Sequence, residues 1–86
     1  MYWNKINDMS YKYIKLYHHA PTHIYMPRWF YNNLEYEMVG KQWLAMIKQN
    51  SIRGMHIVID DNEPFFKIVG NNILEVKGWS DSKWVI

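Results

Sequence analysis

Residues 34–49, LEYEMVGKQWLAMIKQ, carry the clearest helical period in the chain. Tyr36, Val39, Trp43 and Ile47 recur at spacings of 3, 4 and 4, with Leu44 and Met46 on the flanks, so they form one apolar stripe. Asn33 can cap the segment, Glu35 and Glu37 lie near its positive end, and Lys48 lies near its negative end. Gly40 inside the stripe costs about 1 kcal/mol of helix propensity, which points to close backbone packing there. The pattern predicts a helix from about Leu34 to Gln49 facing a sheet. A competing reading makes Leu34 to Val39 a strand and starts the helix at Lys41.

Downstream of the helix, strand signals follow in quick succession. Met55 to Asp60, Phe65 to Val69 and Ile73 to Lys77 are short and rich in β-branched or aromatic residues, with Asp61-Asn62-Glu63-Pro64 and Gly70-Asn71-Asn72 as turns between them. Lys83 to Ile86 can add an edge strand after a loop at Gly78 to Ser82. Upstream, Tyr11 to Tyr17 alternates at period two, with Lys12, Ile14 and Leu16 opposite Tyr11, Tyr13, Lys15 and Tyr17. Pro21 and Pro27 each remove a backbone donor, so His18 to Pro27 is expected to be an irregular arm. The expected order is β-α-β-β-β. This is an α+β fold in which an antiparallel sheet of three to five strands packs on one main helix.

Eighty-six residues suffice for one domain spanning 1–86, with no repeat, linker or low-complexity block to divide it. An apolar content of 49% with 21% charged residues is that of a folded chain rather than a disordered one. At 17% the aromatic share is more than a small core readily hides, so some rings should be exposed. Without cysteine, disulfides and thiolate metal sites are excluded, and a reducing cytoplasm fits. The start MYWNKINDMSYKYIK has no signal-peptide pattern, and no run is long and apolar enough for a membrane span. Phe, Tyr, Met, Ile, Asn and Lys make up 42 of the 86 residues, and Lys outnumbers Arg eight to two. That bias implies an AT-rich gene and suggests a bacteriophage protein acting in its host's cytoplasm.

Charge divides the chain unevenly. Lys5, Lys12, Lys15 and Arg28 against Asp8 give residues 1–31 a charge of +3, whereas residues 32–86, with six basic and seven acidic side chains, carry −1. The first segment also holds nine of the fifteen aromatics and three of the four histidines. Tyr11, Lys12, Tyr13, Lys15, Tyr17, His18, His19, Arg28 and Trp29 are therefore the expected contact residues. Tyr, Trp and Arg dominate protein interfaces, and the same rings and cations can stack on bases and neutralise phosphates. The bland alternatives are an edge strand guarded by lysine at Tyr11 to Tyr17 and core-closing aromatics at Pro27 to Tyr31.

The candidate chemistry is thin. His18, His19 and His23 could share a metal or supply a base, but Pro21 keeps His19 and His23 off one helical face and no acid lies in the arm. Asp60-Asp61-Asn62-Glu63 has the ligand types for calcium or magnesium without the twelve-residue loop pattern, so it reads as a polar turn capped by Pro64. Phosphate-loop, dinucleotide, nucleophile-elbow and zincin motifs do not occur. No catalytic residue, metal or cofactor is assigned.

The function expected is that of a non-enzymatic binding protein, a phage inhibitor or modulator of a host nuclease, toxin or polymerase. The second reading is an RNA- or single-stranded-DNA-binding protein using the same face, disfavoured by a net charge of only +2. A small nuclease using His18, His19 or His23 is third. Trp79, Trp84, Val85 and Ile86 are expected to close the core or an edge, or, if exposed, to mark a homodimer or partner surface.

Overall fold

The computed structural model describes residues 2–70 and the strand at 75–77. Its elements are α1 (Tyr2–Tyr17), β1 (His23–Met26), α2 (Arg28–Glu37), α3 (Leu44–Lys48), β2 (Ser51–Ile52), β3 (Met55–Ile59), β4 (Lys67–Val69) and β5 (Glu75–Lys77). One sheet runs in the order β2-β3-β1-β4-β5, with the helices packed on one of its faces. The fold is α+β.

The segment expected as a first strand, Tyr11 to Tyr17, is the second half of α1. Tyr2, Ile6, Met9, Tyr13 and Tyr17, spaced 4, 3, 4 and 4, lie on one side of that helix. Ile6, Met9 and Tyr13 are buried, and Tyr2 and Tyr17 pack against the same core. Over sixteen residues this period outweighs the alternation seen in seven.

The arm between the prolines is not irregular throughout, since it contains the central strand β1. β1 pairs with β3 in parallel, Ile24 opposite Ile57, and with β4 antiparallel, Ile24 opposite Ile68. The sheet is therefore mixed rather than antiparallel. A parallel pair needs a crossover, and α2, α3 and β2 supply it between β1 and β3. Strands stand at β3, β4 and Glu75–Lys77 as expected and the last pairs with β4, but β1 is inserted between β3 and β4, so the three do not form the expected meander of neighbouring strands. Residues 71–74 and 78–86 lie outside the described residues, and with them the Gly70-Asn71-Asn72 turn, the Lys83 to Ile86 strand, Trp79 and Trp84.

The expected Leu34 to Gln49 helix is two helices separated by a turn. Gly40 adopts φ 82°, a left-handed conformation incompatible with continuing an α-helix. Tyr36 and Val39 face solvent because α2 turns Phe30, Tyr31 and Leu34 inward, and after the break Trp43 is half-exposed, so of that stripe only Ile47 is buried. The inward side of α2 is Phe30, Tyr31 and Leu34, continued by Met38. These pack on Ile24, Met26, Met55, Ile57 and Ile68 of the sheet. Each large apolar side chain buried there stabilises the fold by about 1.5–3 kcal/mol.

Candidate functional site

Burying the Ile6–Tyr13 stripe dictates what α1 shows to its neighbours. Trp3, Asn7 and Tyr11 are spaced by four residues and form one flank of α1, beside α3 and the β2–β3 hairpin. Trp3 stacks on Trp43, ring centres 6.0 Å apart and planes 7° from parallel. The side-chain oxygen of Asn7 accepts a hydrogen bond from the Arg53 guanidinium, which also lies over the Tyr11 ring with Cζ 4.9 Å from its centre. Trp3, Trp43, Met46 and Arg53 line a shallow groove of about 250 Å³. Trp43 and Met46 are each 43% exposed and Tyr11 is 59% exposed.

Arg53 owes its position to an unusual turn. β2 and β3 are joined by Arg53 and Gly54 alone, with φ 49° and 80°. Two successive left-handed residues fit the twist of a tight hairpin, where Asn-Gly is the usual pair. Gly54 adopts the conformation freely, but arginine has no such ease and is held there by the hairpin and by its contacts with Asn7 and Tyr11. A two-residue loop fixes the Arg53 backbone, and the contacts with Asn7 and Tyr11 orient its side chain.

The start of α1 is fixed from a distant helix. The Glu37 carboxylate accepts the backbone N–H groups of Tyr2 and Trp3 at 2.9 and 3.1 Å, satisfying donors that a helix N-terminus otherwise leaves open. Burial pushes the Glu37 carboxyl upward, but the hydrogen bonds from Tyr2 and Trp3 are among the forces that outweigh it, and the group is held below its ordinary range. That anchor places Trp3 against Trp43.

The residues expected to form one surface fall into three groups. Tyr11, Lys12, Lys15 and His18 are exposed on the outer side or at the end of α1, His18 with φ 62°. Tyr13 is a correction, since it is fully buried and belongs to the core rather than to a contact face. Tyr17 and His19 are half-buried against it, ring centres 4.8 and 5.4 Å away. Burial raises the Tyr13 hydroxyl above its ordinary range, with the neighbouring Tyr17 adding to the shift. Arg28 and Trp29 stand elsewhere, at the start of α2. The Arg28 backbone N–H donates to Asp61 at 2.8 Å, and the Trp29 ring, 47% exposed, stacks on Phe65 at 5.9 Å. Lys5 approaches that Phe65 ring from α1. At about 100° per residue Lys5 and Trp3 point some 160° apart around the helix, so the two aromatic clusters occupy opposite flanks of α1.

Trp3, Trp43, Met46 and Arg53 were not among the expected contacts. The i, i+4, i+8 series from Trp3 through Asn7 to Tyr11 was the available sequence signal for the first of them. The acidic run is a turn whose side chains are engaged within the fold. Asp60 accepts the Asn62 N–H at 3.0 Å, Asp61 caps α2, and the buried Glu63 lies 3.9 Å from Lys67. Among the described residues no three histidine, aspartate or glutamate side chains gather as a metal-holding group. Comparison with protein-family models, with curated proteins and with solved structures finds no match to this chain.

Proposed function

We propose that this chain is a small non-catalytic binding module that docks on a partner protein through the surface built from Trp3, Tyr11, Trp43, Met46 and Arg53. The observation that carries this reading is the Trp3–Trp43 stack, Trp43 exposed and Trp3 half-buried, bordered by Arg53 on Asn7 and Tyr11. Trp, Tyr, Met and Arg are the residues enriched at interfaces, and rings held by stacking lose little freedom when a partner covers them. Lys12 and Lys15 on the neighbouring side of α1 favour an acidic rim on that partner. Among the described residues no helix is long and apolar enough to cross a membrane. The AT-rich residue usage supports a phage-encoded modulator of a host enzyme, working in the host cytoplasm.

Affinity capture from host lysate with the wild-type chain and with a Trp43→Ala, Arg53→Ala variant tests the surface. A host protein retained by the first and lost by the second, with both variants folded, is the expected result. Retention by both would move the interface elsewhere. Concentration-dependent self-association abolished by the same substitutions would make the partner a second copy of the chain.

A further inference from the structure

With the helices gathered on one side, the other face of the sheet presents His23 and Tyr25 from β1, His56 and Val58 from β3, and Lys67 and Val69 from β4. The register brings them together, with His23 opposite both His56 and Val69 and Tyr25 opposite both Val58 and Lys67. The His23 ring meets His56 edge-on, 5.7 Å away with the planes at 75°, and lies 6.5 Å from Tyr25 with a tilt of 31°. Thr22 Oγ1 sits 2.9 Å from His23 Nδ1 and orients that ring. The Lys67 ammonium is 5.3 Å from the Tyr25 ring centre, with Glu63 3.9 Å from the same nitrogen. Lys77 of β5 occupies the position opposite Lys67, and Glu75 the position opposite Val69.

We infer that this sheet face is a second binding site, distinct from the helical surface, and that its ligand is a single-stranded polynucleotide. Three rings cluster on the β1–β3 strand pair, His23 and His56 exposed and Tyr25 half-buried, with Val58 and Val69 beside them. A sheet bearing rings in this way offers unpaired bases a stacking platform, and imidazole and phenol groups add donors and acceptors for base edges. The cation lies to one side, at Lys67 between Tyr25 and Glu63, where a backbone running across β4 would place a phosphate. A duplex keeps its bases stacked on each other and cannot use such rings. This site does not depend on the protein-docking reading.

Fluorescence anisotropy with labelled oligo(rU), oligo(dT) and a short DNA duplex tests the inference on the full chain. Single strands should bind, the duplex should bind weakly or not at all, and affinity should fall with salt. Tyr25→Leu should weaken single-strand binding roughly tenfold or more, while Tyr25→Phe retains it. A His23→Ala, His56→Ala variant should lose a comparable factor, and Lys67→Gln should reduce the salt slope by about one phosphate. Thermal melts confirm that each variant is folded. A preference for oligo(rU) would assign a role to the 2′-hydroxyl, and equal binding would assign the site to bases and phosphates; either supports the site. Absence of single-strand binding at low salt would overturn it. So would binding that survives Tyr25→Leu but is lost in Lys12→Ala, Lys15→Ala, because the nucleic acid would then lie on α1.

Discussion

Trp3 and Trp43 form a parallel ring stack across the gap between α1 and the turn before α3. One partner is anchored by the Glu37 cap of α1 and the other is set by the left-handed break at Gly40. The stack is a surface feature, and truncating it should have surface-like consequences.

Trp43→Ala should cost about 1–2 kcal/mol, well short of the 3–5 kcal/mol expected for Phe30→Ala in the core. Trp29→Ala, half-exposed against Phe65, should resemble Trp43→Ala. Urea unfolding of the three variants in parallel checks the ranking. A loss at Trp43 equal to that at Phe30 would return it to the core.

Replacing Arg53 by Asn or Gly should leave stability within about 1 kcal/mol of wild type or raise it. Relief of the left-handed arginine, about 1–2 kcal/mol, offsets an exposed cation–π contact of about 0.5–1 kcal/mol. Partner capture should fall in the same variants. Melting temperature and capture yield therefore move independently, which a purely structural role for Arg53 would not allow.

Gly70 should tolerate no larger residue. A Cβ there would overlap the Tyr13 hydroxyl and approach Tyr13 Cζ to 2.6 Å, so Gly70→Ala should destabilise by about 1–3 kcal/mol. Tyr13→Phe should be neutral or stabilising by about 1 kcal/mol, because the buried hydroxyl meets no hydrogen-bond partner among the described residues. The double variant should recover only part of the loss, since Cζ remains. Denaturant melts of the four proteins close this cycle.

Glu37 predicts an acid limit. Its carboxyl is held below the ordinary value of 4.5, so the unfolded chain takes up this proton before the folded one does. The stability it contributes is present above pH 4.5 and is lost as pH falls through the lower folded value. Glu37→Gln should lower stability near neutral pH and flatten its decline below pH 4.5, as read from melting temperature against pH. Tyr13, shifted upward by burial, acts at the other end, where stability falls as pH rises above 10.

The parts of the fold legible in the sequence were those with local signals. The β3–β4 turn announced itself through Asp-Asn-Glu-Pro, and the strands on either side through β-branched and aromatic residues. The α+β class followed from these and from an amphipathic stretch. α1 was legible too, through Tyr2, Ile6, Met9 and Tyr13, but the shorter alternation at Tyr11 to Tyr17 lies inside it and imitates a strand. β1 was hidden because four residues between Pro21 and Pro27 pair with strands remote in sequence. At Gly40 the sequence carried the correct residue for a break, and only the continued spacing of apolar residues argued against one. Tyr11, Lys12 and Trp29 lie at the surface, whereas Arg53 escaped notice because Arg-Gly is not a customary hairpin pair.

The burial of α1 beneath β4 also sets an order of events during synthesis. Tyr13 emerges from the ribosome long before Ile68 and Gly70, against which its side of the helix is to rest. An amphipathic helix forms early, yet its Ile6, Met9 and Tyr13 stripe has no finished sheet to cover it until β4 arrives. Contacts so distant in sequence slow folding and prolong the exposure of apolar surface. The nascent chain is thus an expected client for a chaperone that holds helical apolar segments, and the interval ends when β4 is inserted beside β1.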